Sequence, residues 1–327
     1  MLNFLYNYGL FFAKTITILL SFIIAIASAA AIASKNKKDK FKIKNLNHRY
    51  KEIQNTVYHE ILTKKELKQH TKEKKKQPTS TTPKKRIFVL EFKGDIKASA
   101  VKELREEITA ILEVASPATD EVALILESSG GMFPHYGLAS SQLQRIRQRG
   151  IHLTVLIDKM AASGGYMMAC VANQIYAAPF AIIGSIGVVA QSPNFYNWLK
   201  KHNIDFEQFT GGEYKRTLSL FAKNTEKGLE KFKEEVIDAY ELFKSFVAQN
   251  RNILEINEVA TGEIWYGDKA LQLKLIDKII TSDDYLLAAA KEASLYEIKY
   301  CTAKKLEKIF SLIGSYFNNL LGFRSIP

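Results

Sequence analysis

The sequence predicts an α/β domain preceded by a single apolar helix and a basic arm, and three observations carry that reading. Short apolar runs alternate with helical patterns from residue 86 onward. One uncharged stretch near the N-terminus is long enough to cross a bilayer, and the excess positive charge is confined to the segment between the two.

The chain has 327 residues, 47% of them hydrophobic, which is enough for a sizeable core. Its net charge of +12 would point to nucleic acid if it were spread over the chain. Residues 35–85 hold 17 Lys and Arg against 5 Asp and Glu, so the remainder sums to zero. No nucleic-acid reader motif accompanies that charge, and nucleic acid is not an expected partner. Cys170 and Cys301 lie far apart and match no metal-ligand spacing, so no metal, cofactor or disulfide framework is expected. Cys170 is expected to pack as a small apolar residue.

Taken in order, residues 1–34 read as a membrane anchor. Thr15 to Ser34 is a run of 20 residues without a charge. Ala27-Ser28-Ala29 resembles a signal-peptide cleavage site, but no Lys or Arg precedes Lys14, so a retained anchor is the better reading. The lysines from Lys35 to Lys44 crowd its C-terminal flank, which by the positive-inside rule places the following domain in the cytoplasm. Residues 35–85 read as a juxtamembrane arm, with Leu46, Tyr50, Ile53 and Val57 at rough helical spacing and a solvated linker from Lys74 to Pro83. Its charge suits either anionic lipid or a solubilising spacer.

The folded domain is expected over residues 86–300. Ile87 to Phe92, Val122 to Glu127 and Ile151 to Ile157 read as strands; Ser99 to Val114 and Tyr136 to Arg149 read as the helices between them. This alternation implies right-handed crossovers and a parallel sheet covered on both faces. Gly164 to Asn173 reads as a helix, Thr225 to Asn252 as a long one, and Asp268 to Leu273 and Tyr285 to Ala293 as shorter ones. Ile175 to Gln191 is uncharged, but Pro179, Gly184, Gly187 and nearby Pro193 argue for buried strand and loop over a second membrane span. Residues 301–327 read as an amphipathic tail, either covering the core or lying on the membrane.

The chemistry centres on Asp158 to Leu199, uncharged from Gly164 onward and therefore expected to be buried almost throughout. Ser163 falls at a strand-to-helix junction, where unpaired N–H groups can stabilise an oxyanion. A serine there also serves as an ordinary helix N-cap. A nucleophile needs a base, and the Ser, acid, His order of the hydrolase elbow is excluded because no Asp or Glu lies between Ser163 and the last histidine, His202. Orders beginning at His135 or His152 stay open, although His152 opens a strand. A lysine can replace histidine where a dry pocket disfavours its charged form. Lys215, after Gly211-Gly212, is one candidate, with an exposed loop charge as its bland reading. Ser99-Ala100-Val101-Lys102 has Ser-x-x-Lys spacing, but the companion motifs of that class are absent. Gly130-Gly131 ends a strand without a following Gly-Lys-Ser/Thr, so it is no Walker loop and is free to present N–H groups to a ligand.

Glu127-Ser128-Ser129-Gly130-Gly131, Ala161-Ala162-Ser163-Gly164-Gly165-Tyr166, Gly184-Ser185-Ile186-Gly187-Val188 and Gly212-x-Tyr214-Lys215 together resemble the signal-peptide-peptidase A family of serine–lysine proteases. The likeness runs through Val259-Ala260-Thr261-Gly262 and Trp265-Tyr266-Gly267, and extends to the anchor and arm. It implies a ClpP/crotonase-like fold of repeated β-β-α units. Ser163 is then the nucleophile, Lys215 the general base and Ser185 a hydrogen-bond partner of that lysine, with the Gly131 and Gly164 N–H groups as oxyanion hole. The uncharged walls from Tyr166 to Val189 are then expected to keep Lys215 dry and to favour small or apolar side chains, so unfolded or membrane-derived peptides are the expected substrates. The resemblance also implies a homo-oligomer, and an inner-membrane protein whose domain faces the periplasm, opposite to the side the charge flank indicates. The family usually has Pro where this chain has Ser129, which is expected to loosen the turn presenting Gly131 and slow catalysis. Two other readings stand beside it: an inactive membrane-anchored scaffold, and an acyl-thioester enzyme, which would require neither Ser163 nor Lys215.

Overall fold

Seven strands form one sheet in the order β1-β10-β2-β3-β4-β6-β9. The computed structural model describes residues 2–35, 40–67 and 85–301. The strands are β1 (Lys40–Asn45), β2 (Arg86–Lys93), β3 (Asp120–Glu127), β4 (His152–Ile157), β6 (Gln174–Ala177), β9 (Lys278–Ile279) and β10 (Ser294–Cys301). Every pairing from β10 through β9 is parallel. A second, three-stranded sheet holds β5 (Met160–Ala162), β7 (Ile182–Gly184) and β8 (Ile264–Trp265), with β5 parallel to β7 and β8 antiparallel to it.

The central strands are apolar almost continuously because both faces of the sheet are covered. Phe88, Leu90 and Phe92 of β2 point into one core with Leu104 and Ile108 of helix α3 (Val101–Val114) and Leu143 and Ile146 of helix α4 (Phe133–Gln148). The alternate residues Ile87 and Val89 point into a second core with Leu46, Leu286 and Leu295. Leu46 begins helix α2 (Leu46–Ile61), and Leu286 belongs to a helix over Ser282–Ala289.

The second core corrects the expected domain start at Arg86. Residues Lys42–Lys299 form one compact unit, and the first helix lies outside it. Asn47 donates to the carbonyls of Ala290 and Ala293, each at 2.9 Å, and accepts the Leu295 N–H at 2.7 Å. The helical spacing from Leu46 to Val57 is met by α2, whereas the lysines of β1 masked a strand; charge on such an edge strand also discourages pairing with other chains. The linker from Lys74 to Pro83 and the tail from residue 302 onward lie outside the described residues.

Helix α1 (Leu2–Lys35) takes in the uncharged run Thr15 to Ser34, and the apolar window within it begins earlier, at Tyr6. Tyr6–Ile24 is long and apolar enough to cross a membrane, consistent with a single-pass membrane protein. Thr15, Thr17 and Ser21 donate their hydroxyls to the carbonyls of Phe11, Ala13 and Thr17, so these polar groups are satisfied inside the helix.

At the far end of β3, buried Asp120 accepts the Arg86 guanidinium through both oxygens and the Ser116 N–H at 2.7 Å. Burial pushes its carboxyl up, but the Arg86 fork and the Ser116 N–H outweigh it and hold the pKa below the usual carboxylate value. The stability gained is therefore present above the unfolded pKa of about 3.9 and lost as pH falls through the lower folded value. Asp120→Asn is expected to cost about 1–2 kcal/mol at pH 7, since Arg86 is partly solvated, and much less in acid below the folded pKa. Urea unfolding in detergent at the two pH values checks this, and an equal cost at both would be evidence against it.

Candidate active site

Ser163 stands where β5 turns into helix α5 (Gly164–Ala169), with φ 52° and ψ −120°. A non-glycine residue in that region is strained by about 1–3 kcal/mol and persists only when its surroundings hold it. Here the Ser163 N–H donates to the Gly184 carbonyl at 2.8 Å, and the Ser163 carbonyl accepts the Met167 N–H at 2.9 Å. The ordinary N-cap reading is corrected: Ser163 occupies the cap position, but its side chain makes no capping hydrogen bond. Ser163 instead lines a cavity of about 1000 Å³ together with Gly131, Gly164 and Ser185.

The glycine turn after β3 reaches the same place. Ser128 bridges to Ala161 in β5, donating its N–H to Met160 at 2.9 Å and accepting the Ala162 N–H at 3.0 Å. Gly130, at φ +86°, lies so close that a Cβ there would fall 2.7 Å from both the Gly164 nitrogen and the Ser163 Cβ. No other residue type fits both that conformation and that space. Among the described residues, the N–H groups of Gly131 and Gly164 donate to no protein acceptor. The Ser129 N–H also has no acceptor among them, so proline would remove no bond there. Ser129→Pro is expected to raise turnover a few-fold by stiffening the turn; unchanged kcat in a direct comparison would remove that role.

Ser185 is itself at φ 52°, next to Gly184, and its N–H donates to the Glu263 carbonyl at 2.6 Å. Lys215 is not brought to this cavity within the chain. It is exposed, in a turn whose N–H donates to Gly212 at 3.3 Å, and no ion pair holds its ammonium among the described residues. Its neighbours are anchored to the long helix α7 (Glu226–Asn250), which follows the short helix α6 (Tyr196–Lys201): Glu213 pairs with Lys227, and the Tyr214 ring lies 5.7 Å from the ammonium groups of Lys227 and Lys231. Neither His135 nor His152 lines the cavity.

The expected burial of the whole uncharged run is also corrected. Gly164 to Ala172 is buried, but Phe180 is 87% exposed, Val189 80% and Trp198 56%. Beyond Ile186 the segment leaves the sheet, so lack of charge there records something other than cover within one chain. Cys170 packs in the core as expected, and burial pushes its thiol up.

The cavity walls include residues that the sequence did not single out. Tyr240 and Phe243, three apart on α7, face it with Met132, Phe133 and Met167. Tyr240 donates its hydroxyl to the Ala260 carbonyl at 2.6 Å, tying the helix to the loop that forms the far wall. Tyr136, read at first only as the start of a helix, is fully buried beneath Gly164. Among the described residues the Ser163 hydroxyl and the Gly131 and Gly164 N–H groups make no hydrogen bond, and one hydroxyl with two N–H groups on a single uncharged cavity are parts that acyl transfer requires. Its lining holds no Lys, His, Asp or Glu.

Two family models match in tandem and define a class of protease: Peptidase family S49 N-terminal over residues 3–143, and Peptidase family S49 over residues 145–296. The chain belongs to peptidase family S49. It is 45% identical to the Probable protease SohB of Haemophilus influenzae over 322 residues, covering 93% of this chain and 91% of that one. It is 57% identical to the Probable protease SohB of Buchnera aphidicola subsp. Acyrthosiphon pisum over 228 residues, 70% of this chain and 68% of that one. The Putative signal peptide peptidase SppA of Enterococcus faecium is 29% identical over 180 residues, 54% of this chain and 52% of its own.

Proposed function

We propose that this S49 protease is a membrane-anchored serine endopeptidase using a Ser163–Lys215 dyad. The observation that carries the reading is the uncapped Ser163 hydroxyl, held on a strained corner beside the free N–H groups of Gly131 and Gly164. Ser163 Oγ attacks the scissile carbonyl carbon while its proton passes to the neutral amine of Lys215. The Gly131 and Gly164 N–H groups hold the resulting oxyanion. Lys215 then returns the proton to the leaving amine, giving an acyl-enzyme that water hydrolyses by the same steps. Ser185 accepts a hydrogen bond from the lysine. Because only neutral lysine is a base, the rate rises with pH.

Lys215 is exposed and absent from the cavity lining of its own chain, which supports its supply by a neighbouring subunit of a homo-oligomer. The walls carry no charged residue and include Met132, Phe133, Met167 and Phe243, which favours small or apolar side chains, so unfolded or membrane-derived, signal-peptide-like segments are the substrates. Helix α1 anchors the protease in the bacterial inner membrane. The fold is of the ClpP/crotonase type, supported by the pattern in which β4 and β6 of the large sheet are each followed by a short strand, β5 and β7, of the second sheet. The exposed lysine and Ser129 would equally suit an inactive scaffold. Hydrolysis of an unfolded, quench-labelled protein by the detergent-solubilised chain separates the two. Activity lost in both Ser163→Ala and Lys215→Ala supports the dyad; a wild type without activity leaves the scaffold.

A further inference from the structure

Gly131 and Gly164 belong to different connections, one in the turn after β3 and the other at the first position of α5, directly after β5. Their N–H groups can share one oxygen only if both connections are held in register. Tyr136 touches both. It projects from α4 with 0% exposure, and its ring lies against Gly164 so closely that a Cβ there would overlap ring carbons. At its other end the hydroxyl donates to the Asp95 carbonyl at 2.8 Å, so it must accept from the Ser128 hydroxyl at 2.6 Å. Ser128 Oγ in turn accepts the Gly130 N–H at 3.0 Å. The result is a one-way chain from the Gly130 amide through Ser128 and Tyr136 to a fixed carbonyl. Burial pushes the Tyr136 phenol up and keeps its proton in place for that bond.

A buried Tyr–Ser pair is an ordinary way to satisfy polar groups, and alone it would say only that the fold is well made. This one differs because its two ends meet the two glycine connections. We propose that Tyr136 is a positioning residue for the oxyanion pair, its ring setting Gly164 and its hydroxyl, through Ser128, setting the Gly130-Gly131 turn. The inference rests on the serine-peptidase reading above.

Tyr136→Phe keeps the ring and removes only the hydroxyl, so its effect must travel through Ser128 and the turn. In the full detergent-solubilised chain, kcat is expected to fall about 10- to 100-fold with KM within about threefold, because the N–H pair acts on the transition state and not on the bound peptide. Affinity for an apolar peptide boronic acid, whose serine adduct places an oxygen in the hole, should fall in parallel. Ser128→Ala should give the same loss, and the double variant no more than either single one. Ser282→Ala, which removes a buried hydroxyl bond to Asp158, controls for stability and should keep wild-type kcat. Ser163→Ala is run alongside. Activity surviving there overturns the serine reading and this inference with it. Activity lost there but retained in Tyr136→Phe, or a kcat loss matched by Ser282→Ala, overturns this inference alone. Should Tyr136→Phe not fold, Ser128→Ala decides by the same criteria.

Discussion

Ser163→Ala is expected to lower hydrolysis of an unfolded protein by about four to six orders of magnitude, since removing a serine nucleophile leaves only what the oxyanion donors and binding supply. The fold should be unaffected. The Ser163 hydroxyl caps no helix, so its removal costs no cap bond, and the corner is held by the backbone bonds to Gly184 and Met167, which alanine keeps. Alanine also inherits the same strain at φ 52°, so no strain is relieved. A near-complete loss of turnover with an unchanged melting curve is thus the signature of a nucleophile. Residual activity within tenfold of wild type would sink the assignment, whereas a lowered melting temperature would point to a cap.

The strands that carry the site were legible because each is an apolar run too short for a helix and bounded by turns; β2, β3 and β4 fall within two residues of their expected limits. What escaped is instructive in physical terms. Strand β1 reads Lys-Phe-Lys-Ile-Lys-Asn, a period-two pattern, but its lysines drew attention to charge instead of alternation. Strand β10 mixes Glu297 and Lys299 into Ser294–Cys301, so its apolar residues form no clean run, and no strand was expected after the helix read from Tyr285 to Ala293. β5, β8 and β9 span two or three residues and exist only through their partners. In the site, Ser163 was visible as a serine at a junction. That its hydroxyl caps nothing was not, because a cap is a three-dimensional contact. Tyr136 could not be found from one sequence at all, since its role depends on two connections meeting over its ring. Lys215 shows the opposite case: the family resemblance singled it out, and a single chain leaves it outside the cavity.

That position carries the second large expectation. Chains bearing Ser163→Ala and chains bearing Lys215→Ala, each inactive alone, are expected to regain activity when expressed together. If the proposed oligomer is a ring in which each lysine serves the next subunit's serine, a site works when one chain keeps Ser163 and its neighbour keeps Lys215. Random mixing of equal amounts then makes about a quarter of sites complete, so roughly a quarter of wild-type activity should return. The exposed apolar side chains between the two motifs favour this arrangement: Val189, Trp198 and Phe209 lie uncovered on the segment leading to Lys215, in the manner of a surface that another protein covers. The Glu213–Lys227 pair and the Tyr214 ring meanwhile tie the lysine's turn to α7, so the turn is held on the helix that also forms a cavity wall. A lysine acting within its own chain predicts no recovery at any ratio, because neither mutant then contains a whole dyad. Absence of recovery in co-purified mixed assemblies would therefore return Lys215 to its own chain's serine or remove it as the base. Recovery near a quarter would make the subunit interface part of the catalytic site.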